Sequence, residues 1–385
     1  MKYKWKKLDE IAEVTKLAGF EFTKYIDYVK DGKIIALRAL NIKNGELDLS
    51  NVKRISKEVS EKLPRSKVNK DEILLTYTGN SYGNCVIINE NDKYHLAPNV
   101  CKITPNKNLV EPYFLYCYIN SYGFRKQMEG NISGSAQPTI PMKAIRKLKV
   151  PMPDMNIQKN ISKNIKIIDE KIRNNKQIND NLVELINLIY LKFCADFPAK
   201  EKVSLDDVFN TSTKTFNVNE NKNINIWHFS IPNFDCNKQP QCESTNSIKS
   251  NKKKVNSFGV LVSKLNPNFK RIWAPNLDFY SNYSPIASPE FIQINGNSQE
   301  EQALIFCILN SEEYTDFLVS NATGSTNSRQ RVKPKIAVSY IIPFDLDKKK
   351  GLESLVSPIL KDIQQREFEN TKLQIIKDTL LNKYF

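Results

Sequence analysis

The side chains of this chain that could act chemically are mostly hydrogen-bonding groups that follow short predicted strands. Arginine and lysine can pair with guanine in the major groove, asparagine and glutamine can pair with adenine, and Gly-Ser loops let backbone approach phosphate. We expect these groups at one rim of each of two regions. In the first region they are Arg38, Asn41, Lys43, Thr76, Thr78, Asn80, Tyr82, Gln137, Thr139 and Lys143. In the second region they are Lys264, Asn266, Arg271, Ser325, Asn327, Arg329, Gln330 and Arg331.

The charge of the chain favours a polyanionic partner. Its 385 residues include 57 lysines and arginines against 42 aspartates and glutamates, a net charge of +15. Neutralisation of phosphates by such groups supplies most non-specific affinity for DNA. An AT-rich genome that encodes many lysines is an alternative source of the same excess.

Several catalytic chemistries fit the residues poorly. Seven cysteines without a Cys-x-x-Cys pair and only two histidines argue against structural zinc and against a histidine triad. A stand-alone adenine methyltransferase needs an Asn-Pro-Pro-Phe type of pocket, and the nearest match, 266–269, lacks the second proline. A nuclease pattern exists at 153–154 and 169–171, but we expect its second part to be solvated charge on a helix. No phosphate-binding loop occurs.

Two long segments have the pattern of coiled-coil helices, at about 154–193 and 348–385. Both have apolar seams with a polar centre, which predicts antiparallel pairing and a rigid spacer of roughly 55–60 Å. The first seam is Ile165, Ile168, Ile172, Asn175, Asn179, Leu182, Ile186, Ile189 and Phe193. The second is Leu352, Val356, Ile359, Ile363, Arg366, Asn370, Leu373, Ile376 and Leu380.

The regions before these helices look like two copies of one α+β module. Both open with a Leu-Asp-acidic-apolar run, at 8–11 and 205–208, and both reach their long helix through a Gly-Ser loop and a proline-ended strand. In the first copy we predict strands at 33–38, 71–77, 83–88 and 145–150 and a helix at 111–118. In the second we predict strands at 258–263 and 336–342 and a helix at 301–309.

The order module, helix, module, helix resembles the specificity subunit of type I restriction–modification systems. The residues that carry the resemblance are Gly134 to Pro141, Leu148 to Pro153 and Asn156 to Gln158 in the first half, and Ile226 to Pro232, Leu261 to Pro267, Arg271 to Trp273 and Ser288 to Phe291 in the second. The second Gly-Ser loop departs from the pattern, with 327–329 inserted before Gln330. The second helix also lacks the proline-to-glutamine lead-in.

The resemblance implies an α+β fold with two pseudo-repeated target-recognition domains, at 1–153 and 197–347. Two spacer helices, at 154–196 and 348–385, would form an antiparallel coiled coil. It implies a non-catalytic subunit that reads a bipartite double-stranded DNA site, carries two methyltransferase subunits and joins endonuclease–translocase subunits. S-adenosylmethionine, ATP and Mg²⁺ would belong to those partners.

The sequence also predicts where the chain works and what it could be instead. No apolar run approaches the ~20 residues of a membrane span, and the first residues lack the apolar core of a signal peptide, so we expect a cytoplasmic protein without a membrane partner. The alternative from another class is a helical scaffold that does not bind specific DNA. Such a scaffold would leave two basic, polar-rimmed modules unexplained.

Overall fold

The computed structural model describes residues 3–43, 45–133, 138–211, 213–324 and 330–385. These residues form two compact units. The first unit contains residues 1–171 and 374–385, and the second contains residues 172–373. Each long helix therefore contributes one part to each unit. Among the described residues, no helix combines the length and the apolar character needed to cross a membrane.

The first unit is a mixture of short strands and short helices. Its strands are β1 (Lys4–Lys7), β2 (Ala12–Lys16), β3 (Ile34–Leu37), β4 (Ile42–Lys43), β5 (Glu46–Leu47), β6 (Lys53–Ile55), β7 (Lys67–Val68), β8 (Ile73–Thr76), β9 (Cys85–Ile87), β10 (Tyr94–Leu96), β11 (Val100–Pro105) and β12 (Lys149–Met152). Its helices are α1 (Gly19–Tyr25), α2 (Lys57–Lys62), α3 (Pro112–Ile119), α4 (Tyr122–Glu129), α5 (Met142–Lys147) and the start of α6 (Met155–Asp196).

Two four-stranded sheets organise the first unit. One has the order β2-β11-β8-β9 and is antiparallel throughout, and the other has the order β6-β3-β10-β7 with β3 and β10 parallel. The central strands β8 and β11 are almost entirely buried, as expected for strands covered on both faces. Helix α3 is buried along nearly its whole length within the main core of this unit.

The second unit repeats the order of elements after α6. Its strands are β13 (Thr215–Phe216), β14 (Asn225–Phe229), β15 (Gln241–Ser244), β16 (Lys252–Lys254), β17 (Gly259–Ser263), β18 (Ile272–Trp273), β19 (Ser284–Ala287) and β20 (Phe291–Asn295). Its helices are α7 (Leu205–Val208), α8 (Ile231–Asn237), α9 (Gln299–Asn310), α10 (Glu312–Ser320), α11 (Pro334–Val338) and most of α12 (Lys349–Tyr384).

The sheets of the second unit follow the same plan. A three-stranded antiparallel sheet, β18-β17-β20, corresponds to β9-β8-β11, and a five-stranded sheet, β13-β16-β19-β14-β15, again contains one parallel pair, β14 and β19. The main core gathers α9 and one face of each long helix. The predicted fold class, two similar α+β modules with two long helices, is confirmed.

Two of the predicted strands are wrong. Residues 142–147 form helix α5 and only 149–152 form a strand, while 334–338 form helix α11. Both helices begin at or beside a proline, which is preorganised for the first helical turn. Short apolar runs of this length fit a strand or a buried helix equally well, so periodicity alone chose the wrong structure.

The seam predicted for the first long helix is confirmed within each unit. In the first unit Ile165 is buried, and in the second unit Asn175, Asn179, Ile186 and Phe193 are buried. The helices run antiparallel in both units. In the first unit Asn164 meets Tyr384 and Asp169 meets Lys377. In the second unit Asn175 meets Asn370 and Asn179 meets Ile363.

The second seam is correct from Leu352 to Asn370, but one later position is wrong. Ile376 is 48% exposed, while Lys377 turns inward and Leu381 is buried. The Lys377 ammonium lies 2.6 Å from the Asp169 carboxylate, which also accepts the Tyr113 hydroxyl at 2.5 Å. Asp169, expected as outward-facing charge, is therefore a structural group. Among the described residues no cluster of His, Cys, Asp or Glu could hold a metal ion.

Candidate nucleic-acid interface

Two hairpin loops of matching construction lie at the ends of the central strands. The first rim loop, Thr76–Asn84, joins β8 to β9, and the second rim loop, Ser263–Arg271, joins β17 to β18. The first is closed by a hydrogen bond from the Thr76 N–H to the Asn84 carbonyl at 2.9 Å. The second is closed by the corresponding bond, from the Ser263 N–H to the Arg271 carbonyl, at 3.0 Å.

Each rim loop pairs with the segment that follows its Gly-Ser loop. In the first unit the Gly79 N–H donates to the Pro138 carbonyl at 2.8 Å, and the Ile140 N–H donates to the Tyr77 carbonyl at 2.9 Å. The second unit has the same two bonds. In the first of them the Asn266 N–H donates to the Gln330 carbonyl at 2.9 Å. The Gly-Ser segment is thus held to the rim by main-chain bonds.

The second of those bonds fixes the register of the repeat. The Val332 N–H donates to the Lys264 carbonyl at 3.0 Å. Because loop positions are occupied in the same order, Thr139 corresponds to Arg331 and Gly79 corresponds to Asn266. This equivalence comes from backbone pairing and not from residue identity.

The Gly-Ser loops themselves close in the same way but differ in length. Ser133 pairs with Thr139 and encloses five residues, whereas Thr323 pairs with Arg331 and encloses seven. The second loop is longer by two residues, one fewer than the three-residue insertion expected from the sequence. The predicted contacts Gln137, Ser325, Asn327 and Arg329 lie outside the described residues.

Two predicted contacts in the first unit are structural instead. Asn41 is fully buried, and its amide donates to the carbonyls of Asp48 at 2.8 Å and Asn51 at 3.0 Å. Thr76 is also fully buried, and its hydroxyl donates to the carbonyls of Ser81 and Asn84 inside the rim loop. A side chain whose polar atoms are consumed inside the core cannot read a base, so both assignments are corrected.

Other predicted residues of the first unit reach the surface. Arg38 is half-buried and donates to the Asn51 carbonyl at 2.8 Å. Lys43 is exposed, and its ammonium lies 2.5 Å from Asp48. Hydrogen bonds from Lys43 and Ser50 lower the pKa of the Asp48 carboxyl to about 2. The ionised Asp48 carboxylate therefore balances the positive charge of Lys43.

The rest of the first set lies on or beside the first rim loop. Asn80 and Lys143 are exposed, and Thr78, Tyr82 and Thr139 are half-buried. Thr78 and Thr139 are bridged neighbours, so the structure brings these two together. The structure contains no described contact that draws Lys143, on α5, to the loop.

In the second unit the predicted residues gather more closely. Lys264, Asn266, Gln330 and Arg331 lie on the paired segments described above. Arg331 is exposed and lies beside Glu290, with its Nε 3.2 Å from a carboxylate oxygen. The loop itself therefore presents one partly paired arginine and one half-buried lysine.

Arg271 was predicted to pair with guanine, but its guanidinium is already bonded within the protein. Its Nε and terminal nitrogen donate to Asp235 at 2.5 and 2.8 Å, and a third nitrogen donates to the Leu265 carbonyl at 3.3 Å. The two-pronged edge that would pair with guanine is occupied. Sequence reasoning missed Asp235, which is distant in sequence, and it also missed the neighbouring Phe269.

Comparison with known proteins finds similarity to one family over the first half of the chain. Residues 2–184 match the model of the type I restriction modification DNA specificity domain. The chain is 30% identical over 163 residues to the EcoBI specificity subunit of Escherichia coli, an alignment that covers 42% of this chain and 34% of that protein. It is 26% identical over 190 residues to the HindI specificity subunit of Haemophilus influenzae, covering 48% and 39%. The chain thus spans little more than a third of the length of these relatives.

A solved structure extends the likeness in fold to the whole chain. The type I restriction–modification S subunit from M. genitalium superposes with a TM-score of 0.57 at 14% sequence identity, covering 100% of this chain and 96% of that one. At this identity the likeness concerns the fold alone. Residues 2–184 are therefore similar to the DNA specificity domain of type I restriction–modification systems, and the resemblance found in the sequence is confirmed by this match.

Proposed function

We propose that this chain is the DNA-recognition subunit of a type I restriction–modification complex and that each unit reads one half of a bipartite duplex target. The observation that carries the proposal is the matched pairing of the two rim loops. One main-chain scaffold, used twice, would present two recognition edges in the same way. A non-catalytic role needs no cofactor on this chain.

The two edges carry different side chains, which supports two different half-sites. The first rim loop has Thr78 at the position where the second has Leu265, and both side chains are half-buried. Hydrogen-bonding groups discriminate bases through their edges, whereas apolar groups contact the thymine methyl or the base faces. We therefore expect an asymmetric target and not a palindrome.

The long helices would set the number of unread base pairs between the half-sites. The narrow apolar seam with buried asparagines supports a fixed register for this spacer. Two methyltransferase subunits would dock along the helices, and endonuclease–translocase subunits would join for cleavage. S-adenosylmethionine, ATP and Mg²⁺ would act on those partners, in the cytoplasm.

The first experiment is methylome sequencing of cells that express the companion methyltransferase subunit with and without this chain. We expect a bipartite methylated motif that disappears when the chain is deleted. The absence of any such motif, despite a stable complex, would overturn the recognition role and favour the scaffold. A scaffold should also fail to bind random duplex at low salt, whereas a DNA reader binds it and loses affinity steeply as salt rises.

A substitution at Arg331 tests the assignment of one half-site to the second unit. Arg331→Ala should weaken binding by about 1–3 kcal/mol if the guanidinium contacts a base directly, and the loss should be confined to targets with an intact second half-site. Arg331→Lys keeps the charge but not the planar fork and is the matched control. Equal weakening on all duplexes would reassign Arg331 to a phosphate.

A further inference from the structure

We propose that Phe269 is a base-contacting residue of the second unit, with its ring placed against a base of the second half-site. Arg271 and Asp235 would be the residues that position it. The inference rests on the proposed function and names the side chain through which the second rim loop makes an apolar contact.

The exposure of Phe269 is the first observation. The side chain is 61% exposed, more than any other aromatic residue among the described parts of the second unit. A single exposed apolar side chain is ordinary on a protein surface, so exposure alone carries no conclusion. The position and the support of the ring make this one different.

The backbone fixes where the ring stands. The Phe269 N–H donates to the carbonyl of Asn266 at 2.9 Å, which closes a tight turn at the tip of the second rim loop. Asn266 has a left-handed conformation, with φ of 47°, and its own N–H is bonded to Gln330. The turn that carries Phe269 is therefore bonded to the segment that contains Gln330 and Arg331.

A guanidinium supports one side of the ring. Arg271 lies over Phe269 at 5.2 Å from the ring centroid, within the range of a cation–π contact. The guanidinium is itself held by two hydrogen bonds to Asp235 and one to the Leu265 carbonyl. Because Arg271 is fixed on its other side, the ring loses little freedom when it meets a ligand. The two hydrogen bonds to Asp235 occupy the guanidinium edge that would otherwise pair with guanine.

The first unit has an aromatic residue at the equivalent position. The Tyr82 N–H donates to the Gly79 carbonyl at 3.0 Å, and Gly79 has a φ of 82°. Tyr82 is half-buried and packs against the core of its unit. Both rim loops thus place a ring three residues after a left-handed residue, but only the second leaves its ring largely in solvent.

Nucleic acid is the ligand that this arrangement fits. Phenylalanine rings at DNA interfaces wedge between base steps or stack on bases, and stacking does not depend on which base is present. A ring that is rigid before binding avoids the cost of ordering a mobile side chain.

The test uses the full chain in complex with its methyltransferase subunit, and a duplex that carries the methylated motif with 2-aminopurine in the second half-site. Phe269→Ala should bind this duplex about ten-fold more weakly, in keeping with the loss of one stacking contact. Random duplex is held through its phosphates, without insertion of the ring, so the variant should bind it as the unaltered protein does. The rise in 2-aminopurine fluorescence on binding should be lost. Phe269→Trp should retain both properties, and Tyr283→Ala, which removes an exposed ring outside the rim loop, should change neither.

The outcomes separate the two proposals. If Phe269→Ala binds the motif as tightly as the unaltered protein, with the same fluorescence, the inference about Phe269 is overturned and the recognition role stands. If the unaltered complex does not distinguish the motif from random duplex, both fall. Asp235→Ala tests positioning: it should reduce the 2-aminopurine signal, whereas a purely structural role would lower only the thermal midpoint.

Discussion

The first and second rim loops run between equivalent strands, and the same backbone groups are paired in both. Their closing bonds join Thr76 to Asn84 and Ser263 to Arg271, and seven residues lie between the partners in each case. The side chains at matched positions nevertheless differ. Main-chain pairing therefore fixes where each residue of a rim loop is presented, and the side chain at that position can differ between the two loops.

The long helices offer the same comparison with another chemistry. In the second unit the centre of the helix pair holds neutral amides, with Asn175 donating to Asn370 at 2.9 Å and to Glu369 at 2.7 Å. In the first unit an ion pair of Asp169 and Lys377 lies between the helices. Both devices place polar groups in an apolar seam, which penalises other registers because a shifted helix would leave them unpaired.

The largest effect is expected from breaking the amide pair. Asn175→Ala removes a donor to two acceptors beside a buried amide and should lower the free energy of unfolding of the second unit by about 1–3 kcal/mol. Amide hydrogen exchange of residues in α6 and α12 measures the loss in the unit concerned. The double variant Asn175→Leu with Asn370→Leu should recover most of the stability, because the buried amide pair is then replaced as a whole and only the half-buried Glu369 loses a donor.

The matched control for this prediction is on the same helix. Asn164 donates to the Tyr384 hydroxyl at 3.3 Å and is half-buried, so Asn164→Ala should cost at most about 0.5 kcal/mol. Equal losses for the two single variants would mean that burial of the amide pair contributes nothing special.

These helices also show how far the sequence could be read. The heptad pattern predicted α6 and the polar centre because both are local repeats along one helix. Ile376 was wrongly placed in the seam, because the partner that draws the neighbouring Lys377 inward is Asp169 on the other helix. A lysine that turns into the seam next to an apolar residue can be recognised only when its buried partner on the other helix is known.

The left-handed residues of the rim loops give the next prediction. Asn266→Val should lower stability by about 1–2 kcal/mol, because a β-branched residue strongly disfavours a φ of 47°. Gly79→Val should behave alike in the first unit, since a Cβ on Gly79 meets no atom within 4 Å and only the conformation is penalised. Urea unfolding measures both.

Exchange of the two left-handed residues is the control. Gly79→Asn and Asn266→Gly should each be tolerated within a few tenths of a kcal/mol, because both residue types visit this region. A large loss for either exchange would show that the loops do not share one backbone.

The candidate interface was less predictable than the helices. Residues at strand ends were correctly expected at the rim, since strand ends and turns have local signals. Asn41 and Thr76 were misplaced because a polar residue that satisfies loop carbonyls inside the core has the same type as one that faces solvent. Phe269 was missed because an apolar residue in a loop reads as a buried one, and its support by Arg271 depends on Asp235, which lies on another element.

The smallest effect, and the last difference between the units, concerns their single histidines. Burial lowers the pKa of His95, whose Nδ1 donates to the Leu96 carbonyl at 2.8 Å. Burial also lowers the pKa of His228, but Glu243, 2.6 Å from its Nδ1, opposes the shift by favouring the charged imidazole. Both pKa values lie below the ordinary value of 6.5. The folded protein therefore binds fewer protons at these two side chains than the unfolded chain does as the pH falls through 6.5.

Stability should consequently be complete above pH ~6.5 and decline as the pH falls through and below that value, because the unfolded state binds more protons there. The urea midpoint, followed between about pH 7.5 and pH 5.5, measures the decline. His95→Gln should flatten the dependence more than His228→Gln, since no carboxylate compensates the burial of His95 to the same degree. If the His228 variant flattens it more, the Glu243 contact does not stabilise the charged imidazole, and the two units would treat their histidines alike.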